Sequence, residues 1–137
     1  MAQAMAAGAY RDAGQYEKAD KYLKDAYVRV AMDYGEDNVT CSAILNSQGL
    51  LYKKQERFER SKDSYEMALE IRERHFGPDH PETCATRHNL GELLVSMNQP
   101  DQAQEYFNEN VAILQKKTQR EREEAEAARP HTQNPDI

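Results

Sequence analysis

The stretch that decides the fold runs from residue 45 to residue 79 and reads LNSQGLLYKKQERFERSKDSYEMALEIRERHFGPD. Each half places apolar, small or amide side chains on one helical face, at intervals of three and four residues. The first stripe comprises Leu45, Gln48, Gly49 and Tyr52, and the second comprises Phe58, Ser61, Tyr65, Ala68 and Leu69. The pattern predicts two helices, over about 38–54 and 57–75, packed antiparallel with Gly49 close to Ser61.

The same pattern recurs along the chain with a period of 42 residues and without a gap. Five columns match in size or character. They are Ala7/Gly49/Gly91, Tyr10/Tyr52/Leu94, Tyr16/Phe58/Pro100, Ala19/Ser61/Ala103 and Leu23/Tyr65/Phe107. The connectors at 34–38 and 76–80 align as well. The sequence therefore predicts a repeat array.

The connector around Gly77 predicts how one unit ends and the next begins. Gly77 is expected to stop a helix at the left-handed C′ position. Asp79 and Glu82 have the spacing of a capping box, and Pro81 falls in the first turn of the following helix. A new helix is therefore expected to start near residue 80.

These motifs carry a resemblance to a known family. The small residue at Gly49 and Gly91, the aromatic or Leu three positions later, and the spacing of Ser61, Tyr65 and Ala68 are similar to the tetratricopeptide repeat (TPR). The 42-residue period, with the phrases FERSKDSYEMALEI and ALEIRERHFGPDHPETCATRHNLGELL, is similar to the long-repeat variety of kinesin light chains. The resemblance covers residues 1 to about 114 and implies an all-α, right-handed α-solenoid of about three helix pairs. Three residues depart from the family's pattern: Gln48, Arg87 and Asn110. Asn110 is interpreted as a sign that the third unit ends the array.

The expected domain organisation is a TPR array over residues 1–114, with units at about 1–37, 38–79 and 80–114. Residues 115–128 carry charged pairs four residues apart and no large apolar side chain. This pattern predicts an extension that continues the last helix and has no core to lie on. Residues 129–137 are expected to form a disordered tail. The first helix starts about one turn into a unit without a cap. It is expected to be covered by a partner or by end-to-end self-association, unless the chain is a piece of a longer array.

Composition and charge exclude several function classes. The net charge of −6 argues against nucleic-acid binding, which needs a basic face. No apolar run reaches the ~20 residues that would span a bilayer, so no membrane insertion is expected. The two cysteines provide no disulfide framework, and residues 1–10 resemble no signal or transit peptide. These features favour an intracellular location, cytoplasmic by default, with a mitochondrial location as the alternative.

The sequence contains only weak signals for a metal site or a catalytic site. His80, Cys84 and His88 are spaced four apart, which could place three metal ligands on one helical stripe. A structural interpretation is favoured, because His80 belongs to the recurring connector, Cys84 fits a small packing position and no fourth ligand has suitable spacing. Cys41 and Cys84 fit buried, inert thiols better than thiolates stabilised at helix starts. No phosphate-binding loop, HExxH motif or nucleophile elbow occurs, so no cofactor, metal or enzyme activity is expected.

The remaining candidate site is the groove that the first helix of each unit lines in a TPR superhelix. Its candidate residues are Arg11, Asn46, Leu50, Lys53, His88, Asn89 and Glu92. Small neighbours leave room for a backbone, and Asn can bond both N–H and C=O groups of an extended segment. The competing interpretation is that these positions are merely solvated.

Two functions follow from this reading. In the first, the protein is a non-enzymatic interaction module whose groove binds an extended peptide or partner segment. In the alternative, it is a structural subunit or assembly factor of a larger complex, packed through its ends, its convex face and the charged final helix. The last stretch, AQEYFNENVAILQKKTQREREEAEAARP, is loosely similar to the end of mitochondrial repeat-containing assembly factors of the respiratory chain. The partner is a protein of unknown identity in both cases.

Overall fold

The computed structural model describes residues 15–130, which form five α-helices. They are α1 (Tyr16–Tyr34), α2 (Val39–Lys54), α3 (Phe58–Phe76), α4 (Pro81–Ser96) and α5 (Pro100–Ala128). In this part of the chain there is no strand, and extensive contacts join each helix to its neighbours in sequence. The predicted all-α solenoid is therefore confirmed, and the boundaries predicted for α2 and α3 are right to within one residue. The predicted first helix of the first unit lies outside the described residues.

Small residues allow α2 and α3 to pack closely, as the sequence predicts. The hydroxyl of Ser61 donates a buried hydrogen bond of 2.6 Å to the carbonyl oxygen of Gly49. A Cβ atom at Gly49 would lie 2.6 Å from the ring of Tyr65, closer than real Cβ contacts allow. Only a residue without a side chain therefore fits at position 49 while Tyr65 keeps its place.

The core is divided into small clusters that follow one another along the array. The first joins Ala19 and Leu23 of α1 to Leu51 of α2. The other two are formed by Cys41, Leu45, Ala68 and Ile71, and by Tyr65, Leu90 and Leu93. Because each cluster joins only neighbouring helices, stability is expected to be the sum of local and nearest-neighbour contributions.

The connector between α3 and α4 differs from its prediction in two respects. Gly77 has φ 90° and ψ 163°, an extended conformation with positive φ that is essentially restricted to glycine, not the left-handed helical one. The residue that caps α4 is His80, whose Nδ1 accepts a 3.1 Å hydrogen bond from the N–H of Glu82, so the predicted capping box of Asp79 is wrong. Pro81 occupies the first turn, as predicted.

Helix α5 continues to Ala128 because it lacks the connector that ends α3. One period after Gly77 and Pro81 stand Gln119 and Glu123, both compatible with a helix interior. The prediction that residues 115–128 continue the last helix is confirmed. The prediction that they find nothing in the array to lie on is wrong for the first turns. Lys117 Nζ donates to the backbone oxygen of Asp79 at 3.4 Å, and Arg120 forms an ion pair with the Asp79 carboxylate. The helix reaches this connector because α5 outruns α4, against which it packs.

Within residues 15–130, no helix combines the length and the apolar character needed to cross a lipid bilayer.

Candidate functional site

Six of the seven predicted groove residues lie in two helices that begin one period apart. Asn46, Leu50 and Lys53 belong to α2, whereas His88, Asn89 and Glu92 belong to α4. Arg11 lies outside the described residues. Asn46, Leu50, Lys53 and Asn89 are half-buried, whereas His88 and Glu92 are exposed. These six residues are called the groove face below.

The carboxamide of Asn46 connects the two helices. Its Oδ1 accepts a hydrogen bond of 3.2 Å from Nδ2 of Asn89 and lies 3.3 Å from the hydroxyl of Thr86. Within residues 15–130, Nδ2 of Asn46 and Oδ1 of Asn89 have no hydrogen-bond partner of their own. The pair therefore presents one donor and one acceptor side by side, which is the complement of a peptide group.

The charges of the groove face differ between the two helices. On α4, His88 Nε2 lies 3.2 Å from the carboxylate of Glu92, and the His88 ring lies 5.2 Å from that of Phe107. The acid on α4 is thus next to a residue that can offset its charge. Lys53, on α2, forms no ion pair with any described residue. It is therefore the cation of the groove face that is available to a ligand.

A buried arginine below the groove fixes the polar groups that hold the amides. Arg72 is only 5% exposed, and its guanidinium donates to Ser42 Oγ at 3.2 Å and to Thr86 Oγ1 at 2.7 Å. The carboxylate of Glu82 forms an ion pair with it at 3.3 Å. Burial lowers the pKa of Arg72, and the charge of Glu82 opposes that shift. Arg72 ties α2, α3 and α4 together. No pattern in the sequence indicates this role, because Arg72 lies within an ordinary charged run.

The two departures, the buried Arg87 and the half-buried Asn110, are hydrogen-bonded to each other in the third unit. Arg87 is 1% exposed and donates to Asn110 Oδ1 at 2.6 Å and to the backbone oxygen of Pro78 at 3.3 Å. Asn110 Nδ2 in turn donates to the backbone oxygen of Cys84 at 2.9 Å. Asn110 thus has a structural role as the partner of Arg87.

The structure separates the three residues with metal-ligand spacing. His80 caps α4, and its ring stacks on Phe76 with 4.3 Å between centroids, whereas His88 is paired with Glu92. Residues 15–130 contain no cluster of three His, Cys, Asp or Glu side chains that could hold a metal ion. Cys41 and Cys84 are both free and buried, as predicted. Burial raises the pKa of the Cys41 thiol, and the charge of Glu36 adds to that effect.

Comparison with known proteins places this arrangement in a family. The tetratricopeptide repeat family model matches residues 1–74 and 40–116. BtubC (BKLC) from P. vanneervenii is 27% identical with a TM-score of 0.76, and the match covers 83% of this chain and 45% of that structure. The nearly identical TPR-like repeats of a proposed kinesin light chain of Podosopora anserina are 21% identical with a TM-score of 0.76, covering 85% and 55%. At 21% identity, the similarity to the Podosopora anserina structure shows only that the two chains share a fold.

The chain spans about half the length of these solved structures. No curated protein matches the sequence significantly. TPR proteins bind protein partners and are typically not enzymes. With its helix pairs, its 42-residue period and its family match, the chain belongs to the tetratricopeptide repeat family, whose members are protein-interaction scaffolds.

Proposed function

We propose that the groove face binds an extended segment of a partner protein. The observation that carries this proposal is the bond between Asn46 and Asn89, which leaves one amide donor and one carbonyl acceptor on adjacent helices. An extended segment presents a C=O and an N–H group at each residue, so one peptide group can engage both asparagines at once. Sequence-independent backbone bonds of this kind fix the register of the segment, and its side chains supply specificity.

The charge and shape of the groove face narrow the choice of segment. Leu50 offers a half-buried apolar surface on α2, and Lys53 lies nearly one helical turn further along the same helix. An apolar side chain followed by an acidic one would therefore meet matching groups. The preferred segment therefore has its acidic residue near Lys53, the cation of the groove face that forms no ion pair within the described residues.

The proposal is tested by selecting peptides from a displayed random library and measuring their affinities by calorimetry. We expect the double variant Asn46→Ala/Asn89→Ala to bind the selected peptides about 30-fold more weakly than the wild type. Each lost hydrogen bond contributes about 1 kcal/mol, and every 1.4 kcal/mol changes the dissociation constant about tenfold. Lys53→Gln should weaken only the peptides that contain an acidic residue.

The matched control is Asn108→Ala, because Asn108 is an exposed amide on α5 that bonds only to Gln104 within the described residues. This variant should bind every selected peptide as the wild type does. Peptides whose affinity is unchanged by the loss of Asn46 and Asn89, or lowered equally by Asn108→Ala, would contradict binding at the groove face.

The alternative role, assembly into a larger complex, is favoured by the form of α5. All side chains from Glu121 to Ala128 are exposed, although the helix is continuous with the array. The contacts of Lys117 and Arg120 with Asp79 fix the direction in which this segment leaves the array. A rigid, charged helix held in one direction provides a contact surface that the fold itself does not need.

Two truncations test whether the end of α5 is a contact surface for a partner or contributes to the stability of the fold. Deleting residues 121–137 should leave the melting temperature unchanged, because no described side chain beyond Arg120 is buried. Deleting residues 116–137 also removes both contacts with Asp79 and should cost about 1–2 kcal/mol, the value of one ion pair near the surface and one hydrogen bond. Melting curves are measured with a pull-down on the same proteins, and in the assembly role the shorter deletion already reduces partner capture. A large fall in melting temperature for the 121–137 deletion would show that the segment belongs to the core.

A further inference from the structure

The end of the array formed by α5 exposes apolar side chains in a row. Val111 is 54% exposed and Leu114 is 43% exposed. Together with Thr118 and Arg122 they line an open groove of about 500 Å³ along the helix. Nothing within residues 15–130 covers this row, which is called the end face below.

The repeat shows what kind of element fits the end face. Val111 stands one period after Leu69, and Phe107 stands one period after Tyr65. Tyr65 and Leu69 of α3 pack against Leu90 and Leu93 of α4, the first helix of the following unit. The end face is thus a second copy of a surface that already carries a helix in this structure. Continuity with that interface predicts a helix of the same type, antiparallel to α5.

The details of the end face specify the chemistry of that helix. The residue one period before Leu114 is Arg72 of α3. Arg72 donates a hydrogen bond to Thr86 and forms an ion pair with Glu82, both on α4. Leu114 can satisfy neither partner. A helix that covers the end face must therefore present an apolar residue where α4 presents Thr86, and it needs no carboxylate at the position of Glu82.

The chain itself contains such a sequence two periods before α4. Alanines stand two periods before three residues of α4 and its C-terminal cap: Ala2, Ala6, Ala9 and Ala13 correspond to Thr86, Leu90, Leu93 and Met97. The position of Asn89, which bonds to Asn46 across the unit 2–unit 3 junction, is occupied by Met5. One period after Asn46 stands His88, so that pair changes on one side only. At the contact of Arg72 with Thr86 both sides change from polar to apolar, with Leu114 replacing Arg72 and Ala2 replacing Thr86. A row of alanines complements the larger Phe107, Val111 and Leu114.

We infer that the end face binds residues 1–14 of a second copy of the chain, so that copies stack head to tail as consecutive units of one solenoid. The two surfaces in this contact are different, so it does not close on itself and leaves both ends of a dimer free. Assembly should therefore proceed beyond the dimer as concentration rises. This inference is independent of peptide binding at the groove face, and its test does not involve a peptide.

The test uses two full-length variants, each of which blocks one side of the contact. Val111→Glu places a charge on the end face, and Ala6→Glu places one on the alanine row. In sedimentation velocity, the wild type should form a concentration-dependent series of oligomers, whereas each variant alone should remain a monomer. An equimolar mixture of the two variants should form a one-to-one dimer and stop there, because only one intact contact is available. Circular dichroism verifies that all proteins are equally helical.

The matched control is Val28→Glu, because Val28 is also 54% exposed but lies on α1, away from the end face. It should assemble as the wild type does. A wild type that stays monomeric at all concentrations overturns the inference. So does assembly that stops at a wild-type dimer, because the end face would then pair with itself. Normal assembly of Ala6→Glu would show that residues 1–14 are not the occupant.

Discussion

Replacing Arg87 by Ala is expected to lower the free energy of unfolding by about 3–5 kcal/mol, the cost of truncating a large buried side chain to Ala. The side chain is 1% exposed, so its removal leaves a cavity as well as unpaired groups. Asn110 would lose the partner of its Oδ1 atom, and Glu73 and Glu109 would lose a cation that lies 3.6 and 3.8 Å from their carboxylates. Urea denaturation of the full chain, followed by circular dichroism, measures the change.

The second unit shows how the same site is built without a charge. Leu45 and Ala68 stand one period before Arg87 and Asn110, and they pack in one apolar cluster. The double variant Arg87→Leu/Asn110→Ala copies this pair into the third unit and should lie within about 1 kcal/mol of the wild type, or above it. Arg87→Leu alone leaves Oδ1 of Asn110 without its donor, and Asn110→Ala alone removes the acceptor that lies 2.6 Å from the guanidinium of Arg87. Each single variant should therefore be clearly less stable than the double.

These variants form a double-mutant cycle, which measures the coupling free energy between Arg87 and Asn110. The sum of the two single losses should exceed the loss of the double variant by about 2–3 kcal/mol, the upper range of coupling between contacting residues. Additive losses would mean that Arg87 and Asn110 act through separate partners. In that case the two departures from the repeat pattern would have separate structural reasons.

The period of 42 residues made the helices predictable because it depends only on where small and large side chains recur. Gly49 and Ser61 indicated a close contact from size alone, and the structure confirms that contact. A pairing across the chain is a different kind of problem. Arg87 and Asn110 each departed from the repeat, and read singly they gave no sign of meeting. Their position on the two helices of one unit was a usable signal, because two unusual polar residues in one packing layer must satisfy each other.

The connector and the groove face depended on geometry that local sequence does not contain. Asp79 and Glu82 have capping-box spacing, but Arg120, 41 residues further on, binds the Asp79 carboxylate, and His80 takes over the cap. Asn46 and Asn89 were predicted as separate contacts. Their bond arises from how far one unit is displaced from the next, which no single helix determines.

Replacing Gly91 by Leu is expected to destabilise the third unit by about 3 kcal/mol, the upper end of the usual cost of overpacking. A Cβ atom at this position would overlap Cε1 of the Phe107 ring and lie 2.7 Å from Cζ. Gly91 is on α4 and Phe107 on α5, so the added side chain forces these two helices apart. Because the units of a repeat array are coupled only to their neighbours, α4 and α5 should open first. Hydrogen exchange should show lost protection in α4 and α5, with α2 keeping its protection.

A rescue experiment distinguishes this collision from a general intolerance of side chains at position 91. Phe107→Leu removes Cε1 and Cζ, the two ring atoms that lie nearest to such a methyl group. In that background Gly91→Ala should cost much less than it does with Phe107 present, because the methyl group no longer meets the ring. The higher helix propensity of Ala, about 1 kcal/mol, favours the variant equally in both backgrounds. The comparison is made by urea denaturation of the four proteins in the cycle. An equal cost of Gly91→Ala in both backgrounds would mean that something other than Phe107 excludes the methyl group. The register by which α4 packs on α5 would then have to be reassigned, and with it the alignment of the end face with α3.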